Sequence, residues 1–190
     1  MAAAQGRTDE ELEASMLVRC RAHDPAALRA FVKRYERAVF ALLSRMLGTV
    51  PEVEDLAQEA FLRAFRALPS FDPEGAARLS TWLLTIATRV ALDRVRRRSR
   101  ERTVVVELEA ATTASPERDL EQAELRRAIA RALETLPFEQ RAAFVLSEFH
   151  NLSIAEVARA LDTQESTVKT RLFRARSKLS RALASYRGTR

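Results

Sequence analysis

Two groups of charged residues in this sequence have the types and spacing that chemistry requires. The first group is acidic: Asp55 and Glu59 stand four residues apart, with Gln58 beside them, in the stretch EDLAQEAFLRAF (54–65). Residues four apart lie on one face of a helix. The pair could be half of a metal site, a docking surface for a protein, or a solvated face. No second carboxylate cluster plainly completes a metal site, so we predict no metal ion and no cofactor.

The second group is basic and lies at the end of the chain. No acidic residue follows Glu165, whereas eight lysines and arginines do. A basic helix could bind nucleic-acid phosphates, lie on a membrane surface or simply face solvent. The membrane is less favoured, because Phe173 is the only large aromatic residue near the apolar side before Tyr186.

The residues that precede this basic stretch favour DNA as its binding partner. The segment NLSIAEVARALDTQESTVKTRLFRARSKL (151–179) predicts a short helix capped by Ser153 and Glu156, then a turn and a longer polar helix that Asp162 or Thr163 can cap. This order is the layout of a helix-turn-helix, whose second helix enters the major groove. Small polar and basic side chains in its first half would reach base edges, and flanking arginines would contact phosphates. The predicted base-reading residues are Thr167, Lys169, Thr170, Phe173 and Arg174, and the predicted phosphate contacts are Arg171 and Arg176.

The elements that position these groups should all be helices. Alanine, leucine, arginine and glutamate dominate, apolar residues recur at a period near 3.6, and glycine (4) and proline (6) are few. One β-branched run, TVVVEL (103–108), is too isolated to make a sheet. Asp24, followed by Pro25, should cap one helix, and Ser80 or Thr81 another. We therefore predict an all-α protein.

The helical pattern is interrupted once. Between residues 99 and 118 no apolar stripe survives, and Ser115 and Pro116 mark a break. We predict a flexible linker over 99–118. The fold prediction is then two small helical domains, at residues 8–98 and 119–187, with the helix-turn-helix in the second.

Composition narrows the class of protein. The net charge of +6, from 32 basic and 26 acidic residues, suits a polyanionic partner. The single cysteine excludes an internal disulfide, and the two histidines lie far apart. The sequence shows no bilayer-spanning apolar run, no signal-peptide core, no nucleophile–base constellation and no phosphate-binding glycine loop. We predict a cytoplasmic protein that is not an enzyme and does not insert into a membrane.

Two longer stretches carry a family resemblance. DLAQEAFLRAFRALPSFDPEGAARLSTWLLTIATRVALDRVRRRSR (55–100) resembles region two of bacterial RNA polymerase sigma factors of the extracytoplasmic-function type. LPFEQRAAFVLSEFHNLSIAEVARALDTQESTVKTRLFRARSKL (136–179) resembles their region four. The two matches stand in the right order around a linker, without the intervening domain of larger sigma factors, and this tandem is highly specific.

The resemblance implies a role for each segment. It implies that Asp55, Gln58 and Glu59 dock on the clamp helices of the largest subunit of core RNA polymerase. Residues 78–98 would meet the minus-ten promoter element and help to melt it, with basic groups along the single strand. The helix-turn-helix would read the minus-thirty-five element, with Ser166 added to the residues named above. The implied minus-ten contacts are Arg89, Arg94, Arg96, Arg97 and Arg98.

Two positions depart from the family pattern, and a third allows two roles. Arg89 stands where the family often has an asparagine, in the loop that captures a flipped base, and arginine accepts no hydrogen bond. Ser166 stands where the family usually has glycine at the start of the recognition helix. Trp82 could stack on a base, but its apolar neighbours Leu83 and Ile86 favour a place in the core.

The leading hypothesis is a promoter-specificity subunit that an anti-sigma factor holds inactive, as the resemblance implies. One alternative is a helix-turn-helix regulator with an unrelated sensor domain, which would bind DNA tightly on its own. A helical metal-dependent nuclease built on Asp55 is a third. Binding to core RNA polymerase separates the first hypothesis from the other two.

Overall fold

The computed structural model describes residues 14–48, 51–75, 77–101 and 120–187. Every regular element in these ranges is helical, which confirms the all-α prediction. Outside these ranges lie the start of the predicted first domain (8–13), most of the predicted linker (102–118) and the first residue of the predicted second domain (119). The helices are α1 (14–21), α2 (Pro25–Leu47), α3 (Val53–Ala67), α4 (Leu79–Glu101), α5 (Leu120–Glu134), α6 (Phe138–Phe144), α7 (Ile154–Ala160) and α8 (Glu165–Ala182), with 3₁₀ turns at Leu68–Ser70 and Ala184–Arg187 and a π-helical turn at Val145–Phe149.

Helix α2 begins where the sequence predicts. The Asp24 carboxylate accepts hydrogen bonds from the backbone N–H groups of Ala26 at 2.8 Å and Ala27 at 3.4 Å, and Pro25 occupies the first turn. These contacts satisfy N–H groups that have no partner inside the helix. The cap therefore fixes the start of one of the two 23-residue helices of the first packed unit.

Helices α2, α3 and α4 pack together in that unit. Buried Ala57, Ala60 and Ala64 on α3 let its backbone lie close to its neighbours. The ring of Phe31 on α2 meets those of Phe61 and Phe65 on α3, at centroid distances of 6.3 and 5.6 Å in edge-on geometry. One face of α3 is thereby buried, and its acidic face points outward.

The start of α4 differs from the prediction. The helix begins at Leu79, and the N–H of Trp82 already donates to the carbonyl of Arg78 at 2.9 Å. Ser80 and Thr81 therefore lie inside the first turn, and the prediction that either caps the helix is wrong. The physical reason is burial, because Leu79 is drawn into the core with only 3% of its surface exposed. At its other end α4 continues through residues 99–101.

Helices α5 to α8 form the second packed unit, and α7 begins as predicted. The Ser153 hydroxyl accepts from the N–H of Glu156 at 3.3 Å, and the Glu156 carboxylate accepts from the N–H of Ser153 at 2.8 Å. This reciprocal capping box confirms the first half of the helix-turn-helix prediction.

The turn between α7 and α8 corrects the other cap. The residue before α8 is Gln164, which makes no capping bond, so the prediction that Asp162 or Thr163 caps α8 is wrong. Asp162 has φ of 49°, and the N–H of Thr163 donates to the carbonyl of Ala158 at 3.0 Å. This pattern closes the C-terminus of α7, with aspartate in the left-handed position that glycine often fills.

The two units pack against each other. Helix α7 lies on α4, while α6 and the π-helical turn lie on α2. Buried side chains of both units form one continuous core. No helix within the described ranges is long and apolar enough to cross a membrane.

Candidate nucleic-acid and protein interfaces

Packing fixes which side of α8 faces outward. Val168, Leu172, Ala175 and Leu179 are buried against the rest of the second unit. The predicted base-reading face is consequently exposed, and Phe173, with 74% of its surface accessible, is the most exposed large apolar side chain on it. The exposed predicted residues are Ser166, Lys169, Thr170, Phe173, Arg174 and Arg176, whereas Thr167 and Arg171 are half-buried at the edges.

The structure pairs one predicted phosphate contact with an acidic residue. Nη2 of Arg176 donates to the Glu148 carboxylate at 2.6 Å, so this exposed guanidinium already has an acidic partner on the protein surface. The Thr170 hydroxyl donates to the Ser166 carbonyl at 3.0 Å. That bond leaves the Thr170 oxygen able to accept from a base donor.

The predicted minus-ten arginines fall into two sets. Arg89, Arg96 and Arg97 are exposed on α4, whereas Arg94 and Arg98 are half-buried. Arg89 lies in the middle of this continuous helix, so its placement in a loop is wrong. The loop in this part of the chain precedes α4. The buried side of α4 continues past Arg89, because its neighbours Thr88 and Val90 are both buried.

Arg94 and Arg98 line a cleft of about 310 Å³ between the two units. Nη2 of Arg94 donates to the Glu52 carboxylate at 2.6 Å. This hydrogen bond is the main reason that the pKa of Glu52 lies below its ordinary value, and the charges of Arg94 and Arg98 lower that pKa further. Phe138 and Arg141 of the second unit complete the cleft wall.

Trp82 belongs to the packing of the first unit. Its ring lies 5.0 Å from that of Phe71, centroid to centroid, and the side chain packs partly buried against the core. This position agrees with the core assignment that its apolar neighbours favour.

The acidic helix presents a mixed surface. Asp55 and Gln58 are exposed, and half-buried Glu59 accepts from Nε of Arg63 at 2.7 Å. Nη1 of the same arginine donates to Asp93 on α4 at 2.8 Å. These bonds tie the acidic face of α3 to the arginine-bearing helix.

Leu62 is a surface residue that the sequence reasoning missed. It lies three and four residues beyond Glu59 and Gln58, on the same face, with 49% of its surface exposed. The signal was available, because Asp55, Gln58, Glu59 and Leu62 follow the i, i+3, i+4, i+7 spacing of one helical face. The acidic face therefore includes an exposed apolar residue, as protein-docking surfaces often do. Within the described ranges no group of three or more His, Cys, Asp and Glu side chains could hold a metal ion.

Comparison with known families assigns both units. Residues 31–101 match the Sigma-70 region 2 family, and residues 126–179 match the Sigma-70 region 4 family. The arginine-bearing α4 falls in the first match, and the helix-turn-helix falls in the second. The fold and these surfaces thus define a DNA-binding protein of the sigma-70 class.

Sequence relatives show to which family of sigma-70 proteins the chain belongs. The chain is 35% identical over 171 residues to the ECF RNA polymerase sigma factor SigW of Bacillus subtilis, covering 84% of this chain and 90% of that protein. It is 36% identical over 179 residues to SigM of Mycobacterium tuberculosis, with 94% and 88% covered. It is also 35% identical to the sigma-E factor of Escherichia coli, with 88% and 92% covered. The chain belongs to the extracytoplasmic-function family of RNA polymerase sigma factors, which direct transcription initiation, and the resemblance seen in the sequence is confirmed.

Two solved structures share the fold. One is CnrH in complex with the cytosolic domain of CnrY, with a TM-score of 0.62 and 26% identity over 90% of this chain and 96% of that one. The other is the sigma factor RpoE of Bartonella quintana in complex with the anti-sigma factor NepR, with a TM-score of 0.67 and 25% identity over 85% and 98%. The likeness extends over both units.

Proposed function

We propose that this sigma factor has three binding surfaces, one for core RNA polymerase, one for the minus-ten element and one for the minus-thirty-five element. Residues 8–98 would bind core RNA polymerase and the minus-ten element, and residues 119–187 would read the minus-thirty-five element. A flexible linker, predicted over 99–118, would join them after the end of α4 at Glu101. The observation that carries the proposal is the exposed polar and basic face of α8 behind a capped α7, in one chain with the arginine-bearing α4.

The acidic face of α3 is the proposed docking surface for the clamp helices of the largest polymerase subunit. Asp55, Gln58 and Glu59 would supply polar contacts at its rim, and Leu62 would fill an apolar position at its centre. A small buried apolar anchor within a polar rim suits a protein partner better than nucleic acid, because the carboxylates would repel phosphates.

Helix α8 is the proposed reader of the minus-thirty-five element. Lys169 and Arg174 can donate to base acceptors in the major groove, and Phe173 can contact a thymine methyl group. The Thr170 hydroxyl, which donates to the Ser166 carbonyl, can accept from a base donor. Ser166 and Thr167, in the first turn, would lie closest to the groove floor. Arg171 and Arg176 would contact phosphates on either side of the groove, Arg176 after it leaves Glu148.

Helix α4 is the proposed minus-ten surface. Arg89, Arg96 and Arg97 are exposed and could follow the phosphates of a melted strand, because single-strand binding relies on a basic track. Arg98, at the cleft, would join them, and Arg94 would do so after it leaves Glu52. The working location would be the cytoplasm, where polymerase and promoters meet.

We also propose that an anti-sigma factor restrains this protein. The support is the likeness to RpoE of Bartonella quintana, whose solved structure is a complex with the anti-sigma factor NepR.

Reconstitution tests the proposed function. Purified protein added to bacterial core RNA polymerase should give transcription from a specific set of promoters, and sequencing the DNA bound by the holoenzyme should identify them. Core enzyme alone is the control. Failure of the protein to bind core polymerase would refute the proposal, and tight specific DNA binding by the protein alone would favour an ordinary helix-turn-helix regulator.

A further inference from the structure

One arginine bridges the two proposed binding surfaces of the first unit. Arg63, on α3, donates through Nε to the Glu59 carboxylate at 2.7 Å and through Nη1 to the Asp93 carboxylate at 2.8 Å. Glu59 belongs to the acidic face proposed for polymerase docking, whereas Asp93 lies on α4. All three side chains remain partly exposed, so each can still meet a partner molecule.

Asp93 stands among the arginines of the proposed minus-ten surface. Arg89 lies four residues before it, and Arg96 and Arg97 lie three and four residues after it. Residues three or four apart on a helix are neighbours, with about 5–6 Å between their Cβ atoms. Asp93 is also the only acidic residue of α4 before the final Glu101. An uncompensated carboxylate at this position would repel the phosphates that the arginines attract.

The charge of Arg63 is shared between its two acidic partners. The hydrogen bond to Asp93, followed by that to Glu59, raises the pKa of Arg63 above its ordinary value. One positive charge nevertheless faces two negative ones, so part of the charge of Asp93 stays uncompensated. A guanidinium group can make two parallel hydrogen bonds to one carboxylate. A partner molecule that draws the Glu59 carboxylate away would therefore leave the whole guanidinium to Asp93.

We infer that Arg63 is a positioning residue for minus-ten binding, which neutralises Asp93 fully when core polymerase takes the Glu59 carboxylate. The inference rests on the proposed function, because it takes Glu59 as a docking residue and α4 as the minus-ten surface. Cationic groups of the polymerase would replace Arg63 at Glu59. Docking on α3 then raises the affinity of α4 for DNA, and DNA raises the affinity for polymerase by the same factor.

Removal of Arg63 separates the two affinities. Arg63→Ala leaves Asp93 without its ion pair and frees Glu59 from competition. Holoenzyme with this variant should bind a fluorescent single-stranded minus-ten oligonucleotide, taken from a promoter that the wild-type holoenzyme selects, about two- to fivefold more weakly. Core polymerase should bind the variant at least as tightly as it binds the wild type. Arg66→Ala, at an exposed position of α3, controls for the lost positive charge.

A second substitution distinguishes charge compensation from support of the fold. Adding Asp93→Asn to Arg63→Ala removes the carboxylate that Arg63 compensates, so the double variant should regain the oligonucleotide affinity of the wild type. A residue that only stabilises the packing of α3 on α4 would give no such recovery. Circular dichroism verifies that each full-length variant is folded before its affinities are measured.

Glu59→Gln imitates polymerase docking in the free protein. The substitution removes the competing carboxylate, so the full-length protein without polymerase should bind the oligonucleotide about two- to fivefold more tightly than the wild type does. Glu54→Gln, at an exposed position of α3, controls for the lost negative charge. The gain should disappear in an Asp93→Asn background, because Arg63 then has no carboxylate on α4 to neutralise.

The outcomes distinguish the inference from the proposed function. Loss of both affinities in Arg63→Ala, no recovery on adding Asp93→Asn, or an equal gain for Glu59→Gln and Glu54→Gln would overturn the role of Arg63. In each of these cases a wild type that binds core polymerase and selects promoters keeps the proposed function. A wild type that does not bind core polymerase refutes the proposed function itself.

Discussion

The Glu148 carboxylate lies 2.6 Å from Nη2 of Arg176, so an arginine of α8, the proposed DNA-reading helix, is already paired with an acidic residue on the protein surface. The side chains keep 38% and 59% of their surfaces exposed. Exposed ion pairs are weak, and a competing anion can displace the carboxylate. A DNA phosphate and Glu148 would compete for the same guanidinium.

Replacing Glu148 by glutamine should therefore raise the affinity of the holoenzyme for its promoters severalfold without changing their ranking. Freeing one cation for a phosphate should steepen the slope of log affinity against log salt by about 0.9. Titrations at several salt concentrations measure both quantities. Glu139→Gln, an exposed glutamate on α6, controls for the lost charge. The effect should vanish in an Arg176→Ala background, and its persistence there would show that Arg176 makes no phosphate contact.

The exposed α8 residues should set promoter choice. Arg174→Ala should cost about 1–3 kcal/mol of binding and relax preference at one or two positions of the minus-thirty-five element, if the guanidinium contacts a base. Lys178→Ala, further along the same helix, should instead weaken all promoters alike. Selection from a randomised minus-thirty-five library distinguishes these results. An equal loss on every sequence would exclude base reading by Arg174.

Leu62 should matter for polymerase binding more than for folding. Its side chain is half exposed, so Leu62→Ser removes little core packing. At the centre of a docking surface the same change should weaken core polymerase binding about tenfold. Val18→Ser, which alters a valine with 67% exposure on α1, is the control. Wild-type affinity for Leu62→Ser would place the docking surface elsewhere.

The capping box should stabilise the DNA-reading unit. Ser153→Ala removes one of the two reciprocal bonds at the start of α7 and should cost about 1 kcal/mol in the free energy of unfolding. For a chain of this size that corresponds to a fall in Tm of about 2–4 °C. Thermal unfolding measures it, with Ser177→Ala on the exposed face of α8 as the control. Equal Tm values for the two variants would contradict the capping role.

His150 should make stability fall at mildly acid pH. Burial and, to a smaller extent, the charge of Arg45 together lower the pKa of His150 from 6.5 to about 4. Between these values the unfolded chain binds a proton that the folded chain does not, so the free energy of unfolding decreases as pH falls from 6.5 to 4. The full effect is roughly 3 kcal/mol.

Denaturant titrations at several pH values test this prediction. His150→Asn should lose less stability than the wild type between pH 6.5 and pH 4, because the group that charges on unfolding is gone. His23→Asn, at an exposed position, should follow the wild-type profile. Parallel curves for His150→Asn and the wild type would show that His150 does not stay neutral in the folded protein.

Helix caps could be predicted from the sequence, because they depend on residues that are close along the chain. The Asp24 cap and the Ser153–Glu156 box depend on side chains that reach backbone groups two or three residues away. The prediction that Asp162 caps α8 was wrong because this residue, in a left-handed conformation, closes α7 instead. The helical spacing places Leu62 on the same face as Asp55, but the half-exposure of its side chain depends on how α3 lies against its neighbours.

The all-helical fold, the helix-turn-helix and the tandem order of the two sigma regions can be derived from the sequence alone. These follow from apolar periodicity and from motifs within short stretches, where interacting groups are neighbours along one helix. Which polar and charged groups meet depends instead on the tertiary packing of the helices. Arg94 reaches Glu52 across 42 residues, Arg176 reaches Glu148 across 28, and Arg141 reaches Met46 across 95. Such partners are selected by how helices pack, so the availability of each arginine to DNA is a property of the folded protein.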